Sequence, residues 1–383
     1  MLPAAREAWL EFSRQVGNPS SLHTSGRAAR RVVEESRESI AAQLGVRPSA
    51  VVFTAGGTEA DNLAVKGLFW SRRDAVGADR ILASAIEHHA VLDPVVWLAE
   101  GNAAEVSWLA VDRVGRVDLS AVEEILTEPG RVALCTVMWA NNEVGTVQPV
   151  HELARLCRAA GVPFHTDAVQ ALGHLPLDLG TLDADAVTVS SHKIGGPFGV
   201  GALIVDPRVR LTPVLHGGGQ EREIRSGTLD APGIAAFAVA VTHAVEGQAA
   251  RMIRLAQLRD QLVAGILAAV PDAVLNGDPG EVADQRLPGN VHFSFPGCEG
   301  DLLLMLLDAA GIDCSTGSAC TAGIPEPSHV LLAMGVDEPL SRSSLRFSLG
   351  ETTTPDDIDT VVTALPGAVD RARRAGSLAT RVG

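Results

Sequence analysis

Short apolar runs alternate with longer amphipathic stretches along the first two-thirds of the chain. The runs at 51–53, 80–83, 132–137, 186–189 and 201–205 are largely apolar and rich in Val, Ile and Leu, which predicts strands buried on both faces. A further short run, 162–167, ends in a carboxylate. Between the strands the period changes to that of a helix. From Gly26 to Leu44 the residues Ala29, Val32, Val33, Ile40 and Leu44 fall on one face, while Arg30/Glu34 and Arg31/Glu35 pair at i,i+4 on the other. Ser25 is the expected cap of this helix. Strands separated by helices predict an α/β fold with a largely parallel sheet. Beyond it, 233–270 reads as helical, 290–294 as a strand, 301–310 as a helix, and Thr354-Pro355-Asp356-Asp357 as the start of a last helix. This remainder predicts a smaller α+β domain. The expected division is a large domain at 14–249, with 1–13 and 250–383 forming the small one.

Composition narrows the classes. A chain of 383 residues is long enough for two domains, and its net charge of −15 argues against a surface built to bind nucleic acid or an anionic membrane. No stretch approaches the ~20 apolar residues of a membrane span, and Met1-Leu2-Pro3-Ala4-Ala5-Arg6-Glu7 does not read as a secretory leader. A cytosolic protein is expected. The five cysteines show neither paired metal-ligand spacing nor a disulfide framework.

Of the 31 basic residues only Lys66 and Lys193 are lysines. Arg replaces Lys wherever a solvated charge suffices, but it cannot form an imine. Lys193 follows a buried-type strand in Ser190-Ser191-His192-Lys193-Ile194-Gly195-Gly196, at the sheet edge where open α/β sheets bind ligands. Asp167 ends the preceding strand. A lysine for a Schiff base and an acid opposite a pyridine nitrogen are what pyridoxal phosphate (PLP) needs. On the residues alone, Lys193 also fits a surface loop and Asp167 a turn. Phe53-Thr54-Ala55-Gly56-Gly57-Thr58 runs from a strand into a helix and aims backbone N–H groups at an anion such as a phosphate; the bland alternative is a helix cap, with Thr58 and Asp61 as the capping pair. His88-His89 and Asn141-Asn142-Glu143 follow other strands and can reach the same edge, or serve as a structural histidine and a polar turn.

With these pieces assembled, the sequence closely resembles the cysteine desulfurases of the NifS/IscS-like branch, in the class-V aminotransferase group of PLP enzymes. The resemblance rests on Gly17-Asn18-Pro19-Ser20-Ser21-Leu22-His23, Gly56-Gly57-Thr58-Glu59-Ala60-Asp61-Asn62, His165-Thr166-Asp167-Ala168-Val169-Gln170, Ser191-His192-Lys193, His216-Gly217-Gly218-Gly219-Gln220-Glu221, Ser318-Ala319-Cys320 and Ser344-Leu345-Arg346-Phe347, in order along nearly the whole chain. It implies a PLP-dependent transferase of fold type I, with a mostly parallel seven-stranded sheet. By this resemblance Lys193 carries PLP and Asp167 faces the pyridinium nitrogen. His88 stacks on the ring, and Gln170 and Asn142 contact its oxygen side and the substrate end. Gly57, Thr58, Ser190 and His192 hold the phosphate, and Thr228 reaches the partner's phosphate across a homodimer interface. Arg346 clamps the substrate carboxylate. Cys320 takes sulfur from L-cysteine as a persulfide, releasing L-alanine.

The loop 318–329 is of the long type associated with iron–sulfur assembly and tRNA thiolation, so an iron–sulfur scaffold protein and a tRNA-thiolating enzyme are the implied acceptors. No resident metal is expected, although Cys320 is an implied transient cluster ligand together with a partner. Cys135 and Cys157 read as core, while Cys298 and Cys314 are unassigned. Competing functions are a selenocysteine lyase, another class-V enzyme, or a non-catalytic scaffold. Related chains open with a strand reading Tyr-Leu-Asp-Asn-Ala-Ala-Thr-Thr-Pro that should precede Met1, so an upstream extension is expected.

Overall fold

A computed structural model describes residues 1–317 and 326–379. The chain divides into two compact units, one made of residues 1–109, 118–139 and 149–248, the other of 110–117, 140–148 and the chain from Ala249 onward.

The first unit contains α1 (Pro3–Ser13), α2 (Thr24–Gln43), β1 (Val51–Thr54), α3 (Gly57–Val76), β2 (Arg80–Ser84), α4 (His89–Asn102), β3 (Glu105–Leu109), α5 (Leu119–Ile125), β4 (Val132–Thr136), α6 (Val150–Ala160), β5 (Phe164–Asp167), β6 (Ala186–Ser190), β7 (Gly201–Val205) and α7 (Ala231–Val245). Its seven strands lie in the order β1-β7-β6-β5-β4-β2-β3. Only β7 runs against its neighbours, so the other six send their carboxyl ends to one edge. Strands β1, β4, β5, β6 and β7 are buried throughout, as their apolar runs require. Strand β3 was not among the expected runs, because its Glu105 and Trp108 stay exposed at the rim of the sheet.

The opposite rim is closed by charge. On β1, Phe53 N–H donates to Glu221 Oε2 over 3.0 Å and Val51 O accepts from Arg37 Nη1 over 2.7 Å, while Arg37 and Glu221 pair at 2.7 and 2.9 Å. The ion pair thus satisfies edge backbone groups that would otherwise offer a template to another strand.

The second unit holds α8 (Gln248–Ala269), β8 (Val274–Leu275), β9 (Asn290–Ser294), α9 (Gly300–Asp308), β10 (Ser315–Thr316), α10 (His329–Ala333), α11 (Glu338–Arg342), β11 (Ser344–Ser348) and α12 (Pro355–Ala379). Its four strands form an antiparallel sheet, β10-β11-β9-β8. Val291, Phe293, Leu345 and Phe347 bury one face of this sheet in a core shared with Leu262 and Ile266 of α8, Leu303 and Leu307 of α9, and Leu365 of α12.

Several expectations are corrected. Helix α1 packs on α7, and Leu2 N–H donates to Gly195 O over 2.7 Å, so 1–13 belongs with the large unit. Residues 140–148 belong with the small one: Val147 N–H donates to Gln285 O and Asn290 Nδ2 to Glu143 O. Helix α2 starts earlier than expected and is capped by His23, whose Nδ1 accepts from Gly26 N–H, rather than by Ser25. The stretch 233–270 is two helices, parted at Gly247, where φ is +68°.

Candidate active site

Lys193 sits in the 3-10 turn Ser191–Ile194 that leaves the carboxyl end of β6. Gly195 ends the turn at φ +80°, and a Cβ on Gly196 would fall 2.0 Å from Ser191 Oγ, so two glycines let the chain double back tightly under the lysine. On the neighbouring strand β5, Asp167 lies opposite Thr188 of β6. Its Oδ1 accepts from Val169 N–H over 2.8 Å, so the turn role that competed for this residue is real and coexists with its position beside Lys193. Burial pushes the Asp167 carboxyl up to about 6, against the pull of the Val169 hydrogen bond and the Lys193 charge.

Helix α3 opens at the same edge. Gly56, at φ +142°, is its N-cap and supplies no side-chain acceptor. Glu59 reaches back to Ala55 N–H over 2.8 Å and is held by Arg225, which stabilises the entry without covering the first-turn N–H groups. Asp61, the capping partner of Thr58 in the alternative reading, points into the core instead and is 1 % exposed. A Cβ on Gly57 would lie 3.0 Å from Val169 Cγ2 and 3.5 Å from Ser190 Cβ, which places the uncapped helix start directly over the end of β6. There Ser190 Oγ lies 2.9 Å from His192 Nδ1, and the His192 ring stacks on Phe198 with centroids 5.5 Å apart. Burial, then the Lys193 charge, lowers the proton affinity of His192.

His88 follows β2 and caps α4, its Nδ1 accepting from Ala90 N–H over 3.1 Å. Its structural role therefore holds too, and it fixes the ring at the edge with much of its surface exposed. Gln170 is half-buried in the turn after β5, and Thr228 is exposed in the segment leading to α7. Lys193, Asp167, His88, Gly57, Thr58, Ser190 and His192 all stand on this edge. Lys66, on α3, is half-buried with its Nζ 4.5 Å from the centre of the Trp97 ring.

Asn142 and Arg346 belong to the second unit. Arg346 on β11 lies between His292 of β9 and Ser315 of β10; it donates from Nη1 to Asn142 O over 2.9 Å and from Nη2 to Ser315 Oγ over 3.4 Å. Cys320 lies outside the described residues. Cys135, Cys157 and Cys298 are buried free thiols, and the half-buried Cys314 thiol is pushed up to about 11 by burial and by Asp313 and Asp308. Reading the sequence missed Glu87, fully buried with Oε1 accepting from Met138 N–H, and the burial of Asp61 against His165. Polar residues within otherwise apolar strand ends were the available signal.

The donor set suits PLP. An uncapped helix start with a glycine cradle, a hydroxyl and an imidazole offers neutral N–H and O–H groups to a phosphate ester. A lysine in the turn after β6 and a buried carboxylic group at the end of neighbouring β5 stand beside it. Among the described residues no cluster of His, Cys, Asp and Glu is arranged to hold a metal, and no helix is long and apolar enough to cross a membrane.

Residues 3–361 match the family described as Aminotransferase class-V. An IscS-like cysteine desulfurase of Mycobacterium tuberculosis is 56% identical over 98% of this chain and 95% of its own length. The cysteine desulfurase IscS of Methanosarcina thermophila is 41% identical over 97% and 90%. A solved structure described as a NifS-like protein superposes with a TM-score of 0.88 at 33% identity, covering 97% of this chain and 96% of that one.

Proposed function

The chain belongs to the class-V aminotransferase family, and from that premise we propose that it is a PLP-dependent cysteine desulfurase, converting L-cysteine to L-alanine and holding the released sulfur as a persulfide on Cys320. The single observation that carries this reading is the pairing of Lys193 and Asp167 on adjacent strand ends in a chain with two lysines. Relatives bearing the desulfurase name over nearly the full length support it.

The coenzyme, when bound, supplies an electron sink for the substrate carbon. Lys193 would hold it covalently, and the α3 N-terminus with Thr58, Ser190 and His192 would hold its phosphate. Asp167 would keep a proton on the ring nitrogen: burial raises its carboxyl to about 6, against the Val169 hydrogen bond and the Lys193 charge, which leaves it ionised at neutral pH. His88, anchored by its cap bond, would present its ring face to the coenzyme, with Gln170 beside the ring oxygen. Arg346 would grip the substrate carboxylate with a planar fork that Asn142 and Ser315 keep oriented. Thr228 would serve the partner protomer of a homodimer. The proposed sulfur acceptors are an iron–sulfur scaffold protein and a tRNA-thiolating enzyme, in the cytoplasm.

The deciding experiment incubates purified protein with L-cysteine and quantifies alanine, with mass spectrometry of the peptide containing Cys320. Equimolar alanine and a sulfur adduct on Cys320 are expected. Alanine formed only from selenocysteine points to the lyase, and none from either substrate to a non-catalytic scaffold.

A further inference from the structure

Three buried acids crowd the layer behind Lys193. Besides Asp167 these are Asp61 on α3 and Glu87 after β2, and Lys193 is the cation whose charge reaches Asp167. Asp61 is the most isolated of them. No Arg or Lys pairs with it among the described residues, and its Oδ1 has no hydrogen-bond donor. The base facing it is His165, with Nε2 3.5 Å from that oxygen. His165 is itself fully buried between two hydroxyls, Thr136 Oγ1 at 2.9 Å from Nδ1 and Thr188 Oγ1 at 3.1 Å from Nε2. Thr188 also hydrogen-bonds Asp61 and lies directly opposite Asp167 in the ladder, while His165 and Asp167 share one face of β5.

An ionised carboxylate removed from water recruits donors to both oxygens, or it takes a proton. Oδ1 of Asp61 has recruited none. We propose that Asp61 is a carboxylic acid and His165 a neutral imidazole in the working enzyme, and that Asp61 is a positioning residue which, by staying uncharged, reserves the negative charge for Asp167. Burial favours both neutral forms, for Asp61 together with the nearby Asp167 and Glu87 charges. Were Asp61 ionised as well, two like charges would compete for protons, and Asp167 would become the acid instead of the counter-ion of the ring nitrogen. The inference rests on the proposed facing of Asp167 to that nitrogen.

The test compares holoenzyme and Asp61→Asn. Infrared spectra of protein labelled with ¹³C-carboxyl aspartate should show a protonated-acid C=O band at neutral pH that the variant lacks, and ¹⁵N-histidine spectra should show His165 neutral. Coenzyme absorbance gives an independent readout. An uncharged Asp61 exerts no more net charge on the ring nitrogen than the Asn amide that replaces it, whereas an ionised one would help that nitrogen keep its proton. The alkaline limb of the absorbance titration should therefore coincide in wild type and Asp61→Asn. A carboxylate signal from Asp61 at neutral pH, an imidazolium at His165, or an alkaline limb displaced to lower pH in Asp61→Asn overturns the proposal. Thr188→Val keeps the carboxyl and removes its hydroxyl partner, so it decides the matter if Asp61→Asn does not fold: the acid C=O band shifts to higher frequency if Asp61 is protonated, and only carboxylate bands change if it is ionised. Asp167→Asn is the control for the underlying reading. If it leaves the coenzyme spectrum and titration unaltered, the assignment of Asp167 fails, while the infrared band still reports on Asp61.

Discussion

Arg346 donates from Nη1 to the carbonyl of Asn142 over 2.9 Å, so a side chain on β11 is aimed by backbone from the 140–148 segment of the same unit. A guanidinium held on one side retains its other N–H groups for a carboxylate. Arg346→Ala should therefore raise KM for L-cysteine about 100-fold, equivalent to roughly 3 kcal/mol of charge-assisted hydrogen bonding. Arg346→Lys should recover only part, because an ammonium cannot make the bidentate contact. Inhibition by cysteamine, which lacks the carboxylate, should be the same in all three proteins; equal losses for both compounds would remove Arg346 from substrate binding.

The two lysines allow a clean assignment. Lys66 rests its ammonium on the Trp97 ring, and burial lowers its proton affinity modestly, whereas Lys193 stands at the strand edge beside Asp167. Borohydride reduction and peptide mapping should find the coenzyme on Lys193 alone. Lys193→Ala should abolish the adduct, and Lys66→Arg should leave it intact, since Arg also packs on an aromatic face. An adduct on Lys66 would sink the assignment.

What was legible in the sequence follows from physics local to the chain. The central strands could be read because burial on both faces forces unbroken apolar runs, and Lys193 because lysine is otherwise nearly absent. Strand β3 could not, since an edge strand keeps polar residues. The pattern Gly57-Thr58-x-x-Asp61 reads as a cap in one dimension, yet four residues into α3 the helix has turned Asp61 to the core. The place of 140–148 depends on bonds from Val147 to Gln285 and between Asn290 and Glu143, partners more than 100 positions away that no local pattern announces.

The Arg37–Glu221 pair should matter for stability, because both side chains are buried and both also serve the backbone of β1. Glu221→Gln leaves a buried guanidinium with only the half-exposed Glu34, 3.1 Å from Arg37 Nε, as counter-charge, at a cost of about 2 kcal/mol. Thermal unfolding should show a lowered midpoint. The paired change Arg37→Met with Glu221→Leu should restore only part of the loss, since Leu, unlike Gln, leaves Phe53 N–H without an acceptor. Full restoration would mean the edge bonds contribute little.

Asp167 should leave a mark on the pH dependence of the coenzyme-stripped protein. Its folded pKa of about 6 lies above the ordinary value of 3.8, so the native state keeps a proton that the unfolded chain has already released. The stability this provides is complete below pH ~4, declines as pH rises, and is lost above pH ~6, a change on the order of 3 kcal/mol. Asp167→Asn should reduce the slope in that window in denaturant titrations at stepped pH, the remainder coming from the buried Asp61 and Glu87. A slope unchanged by the substitution would assign the titration to another group.

Cys320 and Cys314, six residues apart, should behave differently. A thiol that accepts sulfur acts as a thiolate, and burial with two neighbouring aspartates holds Cys314 as a thiol, pushed up to about 11. Cys314→Ala should therefore retain most of the desulfurase rate. Cys320→Ser should keep the coenzyme on Lys193 and still bind L-cysteine, seen as a change in coenzyme absorbance, yet form no persulfide and release almost no alanine. Binding and sulfur removal then separate in one variant, which loss of folding could not produce. If Cys320→Ser releases alanine at the wild-type rate, the accepting thiol is elsewhere, and repeating the measurement on Cys314→Ala/Cys320→Ser tests the one remaining thiol that is not fully buried among the described cysteines.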